Sequence, residues 1–381
     1  MDFELSEEQK AFRDEVVRFA QRELGEGLIE RDRGNVFDAK AWQRCAEFGI
    51  QGLPIPKEYG GQEADPLTTM LAMEALGYGC SDNGLIFSLN AQMWACEIPI
   101  LRFGTEEQKR KYLPGLCDGS MMAAHGMSEP NSGSDAFSLA TKAELRGDTF
   151  ILNGSKTFVT NAPVSDVFVV FATTDRSLGF AGLCAFILER DFPGFEVGEP
   201  IHKMGLRTSP MSELFFHDCE VPATNLLGKK GGGMALFNSA MEWERSCILA
   251  STVGSMERQL ERSIAYARER KQYGQPIGKF QAVSHRIVDM KLRLDTARLL
   301  LYRLGWAMGK GKASALDSAI AKLHLSESFL QSSMDALQIH GGYGYMTEYE
   351  LEREVRDAFG SRLYSGTSDI QRNIAARFLG L

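Results

Sequence analysis

The chain reads as an α+β protein of three modules, and three observations predict it. Apolar residues recur at helical spacing from about residue 3 to 120. Short β-rich runs replace them from Met121, and long helical patterns return at Met234 and continue almost to the end. Strands gathered in one block, with no helices alternating between them, argue for a small β-barrel or sandwich between two helical modules and against a doubly wound nucleotide-binding sheet. The expected divisions are 1–120, 121–233 and 234–381, since 381 residues exceed one core.

In the first module, Ser6-Glu7-Glu8-Gln9 has the pattern of a helix cap followed by an acidic first turn. Phe12, Val16, Phe19 and Ala20 then follow at helical spacing. The run from Gly49 to Pro56, extended by Tyr59-Gly60-Gly61, breaks that pattern. Helical spacing resumes from Pro66 through Leu76, and Gly104-Thr105-Glu106-Glu107-Gln108 opens another helix. In the second module, Thr149-Phe150-Ile151-Leu152 leads into Asn153-Gly154, a strong hairpin signal. Val167–Ala172, Leu183–Leu188 and Glu213–Phe216 are further strands, expected to pair antiparallel. Gly231-Gly232-Gly233 closes this block. The third module is expected to be a bundle built from helices over 234–270, 280–310 and 313–339.

Net charge is −8, which argues against a nucleic-acid surface or an anionic membrane as the main partner. Seven cysteines, an odd number with no CxxC spacing, suggest neither a disulfide framework nor a zinc site. Reduced thiols in the cytoplasm fit them best. The acidic start Met1-Asp2-Phe3-Glu4 lacks the apolar segment of a signal peptide. No run is long and apolar enough to span a bilayer. There is no GxGxxG after a strand, no Walker loop and no HExxH, so common nucleotide folds and metal hydrolysis lack support.

Five stretches carry candidate chemistry. Between Met234 and Arg270, the residues Phe237, Ala240, Met241, Cys247 and Ile248 form an apolar stripe at helical spacing. Glu244 falls on that stripe and Glu242 off it. A carboxylate on an apolar stripe is either paired or sits in a site that uses its cost, and the stripe does not choose between these. The small-residue loop Met127–Asp135 lets a ligand approach the backbone closely, or is a surface turn. Arg270-Lys271-Gln272-Tyr273-Gly274 places cations at a helix end, for capping or for an anion. Gln338-Ile339-His340-Gly341-Gly342 ends a helix with more glycine than one cap requires, and Gly366-Thr367-Ser368-Asp369 opens the last helix. His340 has no spaced partner and reads as a packing or hydrogen-bonding residue.

Together and in this order, these pieces resemble the acyl-CoA dehydrogenase family over essentially the whole chain. The resemblance is carried by Ser128-Glu129-Pro130 with Gly133-Ser134-Asp135, and by Asn153-Gly154-Ser155-Lys156 with Phe158-Val159-Thr160-Asn161. Arg270 with Gly274 and Gln281, Gln338 with Gly341-Gly342, and Gly366-Thr367-Ser368 complete it. It implies an N-terminal helical domain, a central β-barrel, a C-terminal four-helix bundle, bound FAD and a homotetramer. By the match, Met127, Ser128, Gly133, Ser134, Phe158 and Thr160 would contact the isoalloxazine, ribityl and diphosphate parts of FAD. Arg270, Gln281, Gln338, Gly341 and Gly342 would hold FAD from a neighbouring subunit, with Thr367 and Asp369 near the adenine end.

One departure is informative. Many family members carry a glutamate base directly before the last Gly-Thr, where this chain has Ser365. A hydroxyl with no adjacent base does not readily remove an α-proton at neutral pH. Isovaleryl-type relatives place the base on the central helix just before an arginine, which is Glu244 here. The resemblance therefore selects Glu244 as the catalytic base, with Trp243, Arg245, Ser365 and Gly366 facing the substrate. Trp243-Glu244-Arg245 with Cys247, Ser284-His285-Arg286-Ile287, Met290–Leu294 and Ser365–Asp369 are similar to the branch that oxidises L-proline held as a thioester on a carrier protein. That branch implies an acidic carrier as partner, for which Arg286, Lys291, Arg293 and Arg298 are candidate contacts. A short branched-chain acyl-CoA dehydrogenase, a flavin monooxygenase and a non-enzymatic homologue are the rival readings.

Overall fold

The computed structural model describes residues 4–381, so Met1, Asp2 and Phe3 lie outside the described residues. The first block comprises α1 (Glu7–Glu23), α2 (Leu28–Gly34), α3 (Ala39–Phe48), α4 (Pro66–Gly79), α5 (Asn83–Gln92), α6 (Ile98–Phe103) and α7 (Glu106–Cys117). A π-type turn, Met93–Glu97, joins α5 to α6. Ser6 and Thr105 start α1 and α7 with reciprocal caps: each hydroxyl accepts the amide three residues on, and the glutamine there accepts back. Helix α4 is buried on every side from Thr69 to Gly77. It crosses a later helix backbone to backbone, because a Cβ on Gly77 would lie 1.9 Å from the Ser251 carbonyl and one on Gly254 would lie 1.9 Å from that of Glu74.

The strands are β1 (Ala123–Gly126), β2 (Lys142–Arg146), β3 (Thr149–Thr160), β4 (Val167–Thr173), β5 (Leu183–Glu189), β6 (Phe195–Val197), β7 (Met211–Pro222) and β8 (Leu226–Leu227). They form one eight-stranded sheet in the order β6-β7-β3-β2-β4-β5-β8, with β1 added on β4. Pairing is not uniformly antiparallel: β1 runs parallel to β4, and β2 meets β4 parallel at Lys142↔Thr173. Asn153-Gly154 is not a hairpin turn. It is an irregularity inside β3, where the register against β7 shifts between Leu152 and Gly154. Two features hold it there. Gly154 adopts φ +145°, and a Cβ at that position would lie 2.7 Å from the Thr141 Cα. Asn153 also exchanges side-chain bonds with Asp218 across the pair. The β2–β3 turn falls instead at Gly147-Asp148, where Gly147 has φ +64°.

The last block holds α8 (Gly233–Cys247), α9 (Ala250–Glu269), the small hairpin of β9 (Lys271–Gln272) and β10 (Gln275–Pro276), α10 (Gln281–Gly309), α11 (Ala315–His340), α12 (Leu351–Ser361) and α13 (Ser368–Phe378). The stretch 234–270 is thus two helices and not one. Cys247, Ile248, Leu249 and Ala250 are all buried in succession, which no single face of a straight helix allows, and the chain turns at Leu249 (φ −100°, ψ 6°).

Three apolar clusters organise the chain. The first takes residues from both helical blocks, Met70, Leu76 and Trp94 packing with Val253, Leu294, Leu301 and Phe329. The second joins α7 and one face of β4 and β5 to Leu236, Phe237 and Met241 of α8. The third fills the opposite face of the sheet. Helix α8 therefore belongs to the sheet at its start and to the helical core at its end, where Cys247 sits.

Candidate active site

Glu244 lies at that seam, one turn after Met241 and just before Cys247. It is 9% exposed, whereas Glu242 is half-buried. Its Oε1 accepts a hydrogen bond of 2.5 Å from the Ser365 hydroxyl, and its Oε2 has no partner among the described residues. Burial raises the Glu244 carboxyl above its ordinary range, while the Ser365 bond and the charges of Arg245 and Lys322 offset part of that rise.

The loop between α12 and α13 delivers Ser365. Ser365 (φ +56°) and Gly366 (φ +85°) are both left-handed, a strained conformation for a serine that must be held by its surroundings. The surroundings do hold it. Lys322 Nζ donates to the carbonyls of Ser361 (2.8 Å) and Gly366 (2.9 Å). Gln371 Nε2 donates to those of Ser365 (3.1 Å) and Gly366 (2.8 Å). Thr367 caps α13 by accepting the Ile370 amide. The amides of Ser365 and Gly366 donate to no protein acceptor among the described residues, so two donors at this turn remain available.

The walls are aromatic. Trp243 stacks on Trp94 with centroids 6.1 Å apart, and the Arg102 guanidinium lies 5.7 Å from the Trp243 ring. Tyr364 packs against Phe87 at 4.6 Å. Arg245 follows Glu244 on α8, and its buried Nε has no partner among the described residues. A second acid, Glu97, is fully buried on the π-type turn that packs against α8. Among the described residues it accepts only from Gln92 (2.8 Å), and burial pushes it up to about 8.

A flat cofactor has a matching surface on the sheet side. Met127 is buried at the end of β1, and the Ser128 carbonyl accepts the Thr157 amide at 2.9 Å. The following loop is fastened by the buried Glu129–Lys156 pair (2.7 Å), with Glu129 also accepting the Ala140 and Thr141 amides. Gly133 and Ser134 sit exposed at its tip, and Thr160 is half-buried at the end of β3. Phe158 is left-handed (φ +56°) and 65% exposed. A strained, exposed phenylalanine on a strand edge fits stacking against a planar ring.

The remaining cofactor candidates lie elsewhere on the chain. Arg270, whose guanidinium is 5.5 Å from the Tyr343 ring, lines a cleft of about 530 Å³ with Gln272, Gly341 and Gly342. A Cβ on Gly342 would meet nothing within 4 Å, so the chain's own packing does not require glycine there. Gln281 opens α10 and Gln338 lies on the exposed side of α11, and neither lines this cleft. Asp369 is exposed and paired with Arg372. His340 is buried with Nδ1 against the Ala336 carbonyl.

The four candidate carrier contacts are each paired with an acid. Arg286 and Arg293 both pair with Asp335, Lys291 with Asp295, and Arg298 with Glu74 and Glu257. The three arginines tie α10 to its neighbours and Lys291 pairs within α10, a pattern the sequence does not distinguish from a docking surface.

Models of the acyl-CoA dehydrogenase N-terminal, middle and C-terminal domains match residues 6–120, 124–219 and 231–380. The chain belongs to the acyl-CoA dehydrogenase family. Among acyl-CoA dehydrogenase relatives, an L-prolyl-[peptidyl-carrier protein] dehydrogenase of Pseudomonas fluorescens is 44% identical, covering 100% of both chains. The Serratia sp. protein of the same description is 42% identical over 100% of this chain and 99% of its own. The solved structure of AnaB, a prolyl acyl carrier protein oxidase, aligns with a TM-score of 0.98 at 53% identity over 99% of this chain and 100% of its own. PigA with FAD and proline aligns with a TM-score of 0.98 at 42% identity over 100% of both chains.

Lys322, Gln371 and Glu97 are functional candidates that the sequence alone does not single out. Lys322 sits within a helical run like any solvated lysine. Its one distinguishing signal is that Ala319, Ala321 and Leu325 surround it on the buried face.

Proposed function

We propose that the protein is an FAD-dependent dehydrogenase acting on an L-prolyl thioester carried by the phosphopantetheine arm of an acyl or peptidyl carrier protein, with Glu244 as the α-proton base. The observation that carries this reading is the state of Glu244. It is buried at the seam between sheet and bundle, its Oε1 is fixed by Ser365, and its Oε2 is free to take a proton. The identity to two prolyl-carrier dehydrogenases over the full chain supports the substrate class.

A thioester acidifies the adjacent Cα–H by delocalising charge onto its carbonyl oxygen. The unpartnered amides of Ser365 and Gly366 are suited to donate to that oxygen as charge develops. The raised pKa of Glu244 brings it toward the working pH, which suits a base. Trp243 walls a short pocket for a small ring, and Arg245 stands beside it. FAD supplies the acceptor for the hydride. Met127, Ser128, Gly133, Ser134, Phe158 and Thr160 line its flavin side. Arg270, Gln281, Gln338, Gly341 and Gly342 serve the FAD of a neighbouring subunit in a homotetramer, with Thr367 and Asp369 toward the adenine.

The test offers the purified protein a prolyl-loaded carrier and, separately, isovaleryl-CoA. Mass spectrometry of the carrier is expected to show loss of two hydrogens for a pyrroline thioester, or of four where a second oxidation reaches the pyrrole. Flavin bleaching with the CoA ester alone would overturn the carrier assignment.

A further inference from the structure

Lys322 is 1% exposed, and its ammonium donates to two backbone carbonyls, those of Ser361 and Gly366. It has no carboxylate partner among the described residues. A buried ammonium that touches no carboxylate, with Glu244 and Glu327 acting on it only at a distance, is costly, so its retention calls for a use. Its two acceptors bracket the turn that carries Ser365, and its charge stands close enough to Glu244 for each to act on the other. The remaining charged and titratable groups around Glu244 are Arg245 on its own helix, Tyr364 beside Ser365, and Cys96 on the π-type turn with Glu97 next to it. Among the cations here, Lys322 is the one that touches both the geometry of the turn and the charge of the base.

We propose that Lys322 is a positioning residue for the reaction: it clamps the Ser361–Gly366 turn so that Ser365 meets Glu244, and it biases Glu244 toward the carboxylate that accepts the proton. The inference rests on Glu244 being the base. Burial pushes Lys322 down to about 8, so its positive charge is present at neutral pH and fades in mildly alkaline solution. Gln371 shares the clamp through the Ser365 and Gly366 carbonyls but carries no charge. The two residues therefore separate geometry from electrostatics.

The experiment compares K322M, K322Q and K322R as FAD-loaded enzymes on a prolyl-loaded carrier, reading kcat, KM and the pH profile of kcat. K322M is expected to keep FAD and KM but lose about tenfold in kcat, the scale of a small misplacement of reacting groups. Its acid limb should move to higher pH by about one unit, because removing a nearby cation disfavours the carboxylate. K322Q keeps a donor without the charge and is expected to show the limb shift with a smaller loss of kcat. K322R is expected to restore both. An unchanged acid limb in K322M, or in K322Q should the methionine variant fail to fold, would overturn the proposal, since a purely structural lysine would lower stability without moving it. The underlying reading fails separately, if E244Q turns over at the wild-type rate.

Discussion

Two regions of the bundle each bury a glutamate and treat it in opposite ways. Glu354 on α12 is fully buried, yet Gln259 donates to it at 2.7 Å and Arg258 at 3.2 Å, with Arg262 3.9 Å away. Burial raises its carboxyl, but Arg258, Arg262 and Arg353 together outweigh burial and hold it below the ordinary range. Glu244 is nearly as buried and has one hydroxyl and a bare oxygen, so burial dominates and its carboxyl rises. Depth alone therefore does not make a base. What separates the two sites is how completely the neighbours compensate the charge, and only the under-compensated one retains a lone pair for chemistry.

Removing the acid at each site should break the comparison in different places. E244Q is expected to lower turnover on a prolyl-loaded carrier by about a thousandfold, the scale of a lost general base, with FAD still bound and thermal stability unchanged or improved. Single-turnover flavin reduction checks it. E354Q should do the reverse. It leaves Arg258, Arg262 and Arg353 without their central counter-charge and is expected to cost about 3–5 kcal/mol of stability, read from the denaturation midpoint, with little change in kcat per folded molecule.

The pH dependence of stability sharpens the contrast. Glu354 has a depressed folded pKa, so its contribution is present above the unfolded value and is lost as pH falls through the folded one. Glu97, pushed up to about 8, behaves oppositely. Between the unfolded value near 4.5 and about 8 the native state holds a proton that the unfolded state has released, so stability falls as pH rises. The slope reaches at most about 1.4 kcal/mol per pH unit. E97Q is expected to flatten that slope in chemical denaturation measured across the interval. The smallest effect belongs to S365A. Losing its bond to Glu244 should reduce kcat about tenfold or less and move the acid limb upward, as expected for one hydrogen bond to a charged group.

Much of this is legible in the sequence. The order of helical, β and helical blocks follows from periodicity, and Glu244 stood out because a carboxylate on an apolar stripe breaks the pattern around it. Compensation was not legible. Nothing in the spacing of Arg258, Arg286, Arg293 or Arg298 says which acids they meet, since those acids lie on other helices. The same limit explains Asn153-Gly154, whose turn signal is local while its bulge is imposed by Thr141 and Asp218. It also explains the break at Leu249, where the burial of four successive residues, Cys247 to Ala250, in one core overrides a continuous helical pattern. Lys322 and Gln371 act through backbone carbonyls, and a carbonyl leaves no mark on the residue type that bears it.

The crossing of α4 and α9 through Gly77 and Gly254 has a consequence for how the protein is made. The almost fully buried α4 leaves the ribosome well before α9 exists to cover it. At roughly 5–20 residues per second that delay is about 10–35 s. During that interval α4 packs on α1 but the faces that α9 and α10 cover stay bare, so nascent chains should depend on a chaperone to reach the native state, and slower translation between the two helices should lower the yield of soluble enzyme.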